Sequence, residues 1–291
     1  MKSSPIVVTV AALLLSLLSS APATAGPEGV TKMRVDVPGP EGVEPSLRSE
    51  TREKISERVV EHVRQRMRAA GVKFSTVAAV DPSTVEVGVE AEYGRELLRG
   101  LALAPGRLRV RVVRHVGSEW QERATELPEG VEIRQEGSEI DPDRAFLWSS
   151  EHSVLVDVLG DVSFDDIDVY PYSTERGWRS YALGRVVVTE AEVEGTSIER
   201  MPTGPPYVAV ELSSEGRKEF RRVTKRLGGP LAVVLDGEIV GFLEPSSLTE
   251  GSLHLSAPDQ VAGDDALTEW ARQVAGRLAA PLPEKLVEVE E

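Results

Sequence analysis

Pro205–Ser256 constrains the fold of this chain more than any other stretch, because it spells out a run of consecutive elements. Tyr207–Leu212 is an almost wholly apolar strand. Ser213 or Ser214 caps the helix that follows, since a short side-chain oxygen accepts from an otherwise orphaned first-turn amide. Phe220, Val223 and Leu227 form the buried stripe of that helix, and Gly228-Gly229-Pro230 ends it. Leu231–Leu235 and Glu238–Leu243 flank Asp236-Gly237, and an Asp-Gly pair between two apolar runs predicts a tight hairpin.

Upstream, Lys32–Val37 is a short strand in a Gly/Pro-rich segment. The spacing of Ile55, Val59, Val63 and Met67 predicts a helix from about Ser49 to Ala70, closed by Gly71. Strands follow at Ser75–Val80 and Thr84–Val89, joined by Asp81-Pro82-Ser83. Tyr93–Leu101 reads as a short helix. Arg107–Val113 alternates basic and apolar residues, as a half-buried strand does. The order β-α-β-β-α-β is the ferredoxin-like pattern.

Val116–Gly184 carries weaker signals. Ser153–Leu159 is a strand candidate. Tyr170, Tyr172, Trp178 and Tyr181 form an aromatic group that either faces a partner or fills a small core, and no period decides between them. Arg185–Thr189 reads as a strand. Asp264–Leu278 reads as a last helix with Leu267, Trp270 or Ala271, Val274 and Leu278 on one side. Ala280-Pro281-Leu282-Pro283 stops it, and Lys285–Val289 reads as a final strand.

Lys2, the apolar run Ile6–Leu18 and Ala23-Thr24-Ala25 have the order of a secretory signal, cleaved between Ala25 and Gly26. The run is shorter than the about 20 residues of a bilayer span. The alternative is an uncleaved N-terminal anchor, with the rest facing the periplasm. The chain thus reads as periplasmic or secreted. Net charge is −15, which argues against nucleic acid as a partner and equally disfavours docking on anionic lipid. With no cysteine, there is no disulfide, thiolate metal site or thiol nucleophile.

Several segments resemble, in order, the first periplasmic (P1) region of the SecD/SecDF protein-export family. Val59–Val72 looks like its helix ending in Gly-Val. Glu96–Val112 looks like its short helix and following strand. Glu190–Glu194 sits where the family passes into its head region. Gly216, Phe220 and Thr224 match a G-x₃-F-x₃-T helix. Leu231, Ala232, Val233, Val234, Leu235, Asp236 and Gly237 match the family's LAIVLDG strand and turn. Gly251 and Leu255 fit the segment after it, and Ala266–Leu286 resembles the helix leading toward the second membrane span.

The resemblance implies an α+β fold, a ferredoxin-like P1 base with an inserted α+β head subdomain. The expected division is a signal at 1–25, linker and first strand at 26–47, base at 48–115, head at 116–257 and base completion at 258–291. The sequence runs to Glu291, about where the family's membrane domain would begin. The family's membrane-embedded acidic residues have no counterparts here. After LAVVLDG, Val240–Pro245 departs from the family's small-residue-Pro segment.

Catalytic signals are weak. His62, His115, His152 and His254 are isolated and form no metalloprotease arrangement. Asp157, Asp161, Asp165, Asp166 and Asp168 cluster without EF-hand spacing and read as a solvated loop. Ser213-Ser214 lack a nucleophile elbow. The chain therefore reads as a binding domain and not an enzyme, with no cofactor. It is expected to contact exported polypeptides or Sec translocon components, through Asp236, Gly237, Phe242, Tyr170, Tyr172 and Trp178. The alternatives are an envelope adaptor or ligand-binding domain unrelated to export and, from another class, a metal-assisted hydrolase using the Asp157–Asp168 cluster.

Overall fold

The computed structural model describes residues 30–38, 48–122, 127–135, 144–162, 164–200, 204–227, 229–244, 246, 248–249, 251–258, 260–282 and 286–289. The expected signal segment and much of the linker lie outside the described residues, as does Gly228.

The chain opens with β1 (Val30–Asp36), α1 (Arg48–Ala69), β2 (Phe74–Asp81), β3 (Thr84–Glu90) and α2 (Arg95–Leu103). Next come β4 (Leu108–Arg114), α3 (Gly117–Glu122), β5 (Val131–Gln135), β6 (Ala145–Ser149), α4 (His152–Gly160), β7 (Asp168–Thr174) and β8 (Gly177–Thr189). The last part holds β9 (Val193–Arg200), β10 (Pro206–Leu212), α5 (Ser214–Leu227), β11 (Leu231–Leu235), β12 (Glu238–Leu243), β13 (Leu248–Thr249), β14 (Ser252–Ser256), α6 (Asp264–Ala279) and β15 (Val287–Val289). The architecture is mixed α+β.

The first sheet has the order β15-β1-β3-β2, with every neighbouring pair antiparallel. Val35, Val85 and Val87 bury one face of it against Val59, Val63 and Met67 of α1 and Leu97, Leu98 and Leu101 of α2. The ferredoxin-like order expected from the sequence puts Arg107–Val113 in this sheet. A strand forms at Leu108–Arg114, but it does not join this sheet. It lies between β11 and β8, and β15 takes the edge beside β1. Alternation identifies a strand without identifying its neighbours.

The second sheet is β13-β14-β10-β9, and the third is β12-β11-β4-β8-β6-β5 with β7 also on β8. Val208, Val210, Leu253 and Leu255 of the second sheet meet Leu108, Val110, Val233 and Leu235 of the third. Phe220 and Val223 of α5 and Ala271 and Val274 of α6 complete that core.

Ser153–Leu159, expected as a strand, is helical within α4. Its β-branched residues suggest a strand, but Leu155 and Leu159 lie four apart and are both buried beside Trp120 and Leu147. Burial of a helical stripe outweighs the small propensity cost of valine.

One arginine ties the first sheet's helices to the rest. Arg66 of α1 is fully buried. It donates to the carbonyls of Ala280 at 2.6 Å, Leu101 at 3.0 Å, Ala104 at 2.5 Å and Pro105 at 2.9 Å. These carbonyls belong to the C-terminal ends of α2 and α6, where backbone acceptors lack helical partners and a cation is favoured. Burial pushes the guanidinium down to about 9. Gly106 lies against this group with φ +77, and a Cβ there would come within 2.3 Å of the Arg277 carbonyl oxygen.

Candidate binding surface

Successive residues of a strand point to opposite faces, and in β6 this puts Phe146 and Trp148 on one side. Register extends that side across the third sheet. Arg134 of β5 stands opposite Phe146, and Arg179 of β8 stands opposite Trp148 on one edge and Tyr172 of β7 on the other. The side chains interleave. Arg134 lies over the Trp148 ring at 3.3 Å. The Arg179 guanidinium is 3.9 Å from the Phe146 ring and 4.5 Å from the Tyr181 ring. Tyr181, Tyr172 and Phe242 then form a triangle with centroids 4.6–5.7 Å apart. The aromatic members are all half-buried. A cleft of about 200 Å³ opens among Phe146, Arg179, Tyr181, Phe242, His115 and Arg144.

β7 is held in place by Arg111, a buried residue of β4. Its guanidinium bonds the Asp168 carboxylate and the Tyr170 hydroxyl, and donates to the carbonyls of Gly184 and Leu183. Opposite charge together with satisfied carbonyls makes this burial tolerable.

Of the expected contact residues, Tyr170, Tyr172 and Phe242 come together on this face. Trp178 points the other way. Its ring meets that of His152 at a tilt of 54°, with centroids 4.1 Å apart, and packs against the core around Trp120 and Leu155. Burial lowers the pKa of His152. Asp236 and Gly237 form the hairpin tip, with φ of 54° and 91°. The Asp236 carboxylate is used internally, accepting from the Arg107 amide at 2.7 Å and from Arg277. Tyr181 belonged to the expected aromatic group. Arg134, Phe146, Trp148 and Arg179 are not among the expected contact residues; alternation puts Phe146 with Trp148 and Arg179 with Tyr181 on one side of their own strands, and the strand register brings these sides and Arg134 together.

The remaining motif residues are structural. Leu231–Leu235 are buried in the third sheet. Phe220 is fully buried, and the Thr224 hydroxyl donates to the Phe220 carbonyl at 2.9 Å. Gly216 passes close to Glu192, where a Cβ would lie 2.9 Å from the Glu192 Cβ. Ser213 caps α5, its hydroxyl accepting from the Gly216 amide.

Two further histidines have local contacts. His62 Nδ1 is 2.6 Å from the Pro281 carbonyl, and the His254 ring lies at a tilt against Tyr207, with centroids 4.9 Å apart. Among the described residues no three His, Asp or Glu side chains converge as metal ligands would.

Residues 168–245 match the family model of the SecDF P1 head subdomain. The P1 head match contains Tyr170, Tyr172, Arg179, Tyr181 and Phe242, and the G-x₃-F-x₃-T and LAVVLDG motifs. It leaves Arg134, Phe146 and Trp148 outside. Among solved structures, a crystal structure of SecDF in a super-membrane-facing form aligns with 90% of this chain and 30% of its own, at 18% identity and a TM-score of 0.49. A structure of SecDF described as a membrane component that enhances protein export aligns with 90% of this chain and 99% of its own, at 17% identity and a TM-score of 0.47. SecDF from Thermus thermophilus, described as a translocon-associated membrane protein, aligns over 95% and 34%, at 18% identity and a TM-score of 0.34. The chain thus spans 30% of the first of these proteins. No curated protein matches it significantly.

Proposed function

We propose that this chain is a SecD P1-like exported domain that contacts exported polypeptides or the Sec translocon. In this reading the sheet β15-β1-β3-β2 with α1 and α2 belongs to a ferredoxin-like base completed by residues 258–291, and residues 116–257 carry the head. The observation that carries the reading is the aromatic and arginine face of the third sheet, which lies largely within the P1 head match. Aromatic rings and arginines are the residue types that dominate binding energy at protein interfaces. Rings also accept varied apolar side chains without fixed hydrogen-bond demands, as a surface for many clients requires. The role assigned is contact and not proton coupling. Among the described residues no helix is long and apolar enough to cross a membrane.

In-cell photo-crosslinking from positions 242 and 172 tests this. A ladder of many secreted proteins, or adducts to translocon subunits, is the expected result. One discrete unrelated band would point to a dedicated adaptor. No adduct from either position would remove this face as a contact surface. Phe242→Asp is expected to weaken client capture while the fold stays intact.

A further inference from the structure

On a chain of net charge −15, α5 stands out. Its sequence SEGRKEFRRVTKRL places Arg217, Lys218, Arg221, Arg222, Lys225 and Arg226 against only Glu215 and Glu219. Phe220 and Val223 turn inward to the core, so the outward surface is cationic from Lys218 to Arg226. Arg222 is held by Glu219 at 2.6 and 2.7 Å. Among the described residues no carboxylate pairs with Arg221, Lys225 or Arg226. Exposed Arg185 of β8 adds to the same field. Glu219 is held below the usual carboxylate range, first by its hydrogen bonds from Arg222 and then by the charges of Arg222, Arg185 and Arg226.

We propose that the outward face of α5, together with Arg185, docks an acidic polypeptide segment carrying several Asp or Glu side chains. Charge complementarity selects this occupant. Arg221, Lys225 and Arg226, unpaired and at helical spacing, match carboxylates displayed along a chain. A bilayer fits less well. The apolar side of α5 is buried in the core and cannot insert, and a plane of anionic lipid would also meet the acidic remainder of the surface. The inference does not depend on the export reading, because α5 is separate from the aromatic face.

The test is fluorescence anisotropy of a labelled deca-glutamate peptide with the full chain, beside co-sedimentation with phosphatidylcholine/phosphatidylglycerol vesicles. The peptide should bind, and its affinity should fall about tenfold as salt rises from about 50 to about 300 mM. Arg221→Gln/Lys225→Gln should weaken it by about tenfold. Arg58→Gln/Arg176→Gln removes the same charge from exposed positions elsewhere and should change it by no more than about twofold. Equal losses in the two variants would reduce the effect to net charge and overturn the proposal. Vesicle binding without peptide binding, or no binding at all, would overturn it too. So would salt-sensitive self-association abolished by Arg221→Gln/Lys225→Gln, which would assign the face to a second copy.

Discussion

Asp236 and Arg277 join the hairpin tip to α6. The Arg277 Nε and Nη2 both donate to Asp236 Oδ2, at 3.0 and 2.5 Å, while Oδ1 accepts from the Arg107 amide. The two side chains are only 11% and 16% exposed, so the pair is little screened by water. Asp236→Asn tolerates the left-handed backbone of the turn but leaves Arg277 without its counter-charge. The expected loss is about 2 kcal/mol of unfolding free energy, read from urea denaturation. An unchanged midpoint would mean that solvent replaces the carboxylate at no cost.

Arg66→Met removes the donor to four carbonyls at the ends of α2 and α6. Buried acceptors left without partners are costly, so a loss of about 3 kcal/mol or more is expected. Arg66→Lys should recover only part of it, since an ammonium lacks the planar fork. Chemical denaturation of both variants checks the order, and full recovery by lysine would refute the capping account.

Two phenylalanines should behave differently on truncation. Phe220 is fully buried on the inner side of α5, and Phe220→Ala should cost about 3–5 kcal/mol. Phe242 is half-buried among tyrosines, and Phe242→Ala should cost about 1–2 kcal/mol. Similar losses would mean that the aromatic face is core and not surface.

Burial raises the pKa of Glu238 and Glu269 above the ordinary carboxylate value of 4.5, against the opposing charges of Arg277 and Arg272 respectively. Between the unfolded and the raised folded values, the folded chain holds protons that the unfolded chain has lost. Stability from these groups therefore falls as pH rises through that window and recovers on acidification toward 4.5. Glu238→Gln should raise the Tm at pH 7 and flatten its slope from pH 7 to pH 5. A lower Tm across that range would contradict this.

Local signals were legible where one period or one turn decided the outcome. The Asp236-Gly237 hairpin, the α1 stripe through Val59, Val63 and Met67, and the Ser213 cap follow from rules that act within a few residues. Partnership was less legible. Nothing within Leu108–Arg114 states that its neighbours are β11 and β8, because pairing over long separations depends on what else the chain must bury. Proximity in sequence groups Trp178 with the tyrosines, yet neighbouring strand positions face opposite ways and it packs with the Trp120 core. The basic face of α5 was visible as letters, but its outward direction required knowing where Phe220 and Val223 pack.

β15 meets β1 through three pairs, Arg34 with Val289, Val35 with Glu288 and Asp36 with Val287. Roughly 250 residues lie between these partners, and contacts of such separation form slowly because a long loop must close first. A chain delivered N-terminus first exposes the free edge of β1 until nearly all of the described residues have arrived. The first described strand therefore completes its pairing only with the last described one, and its edge stays open to pairing with another chain in the interval.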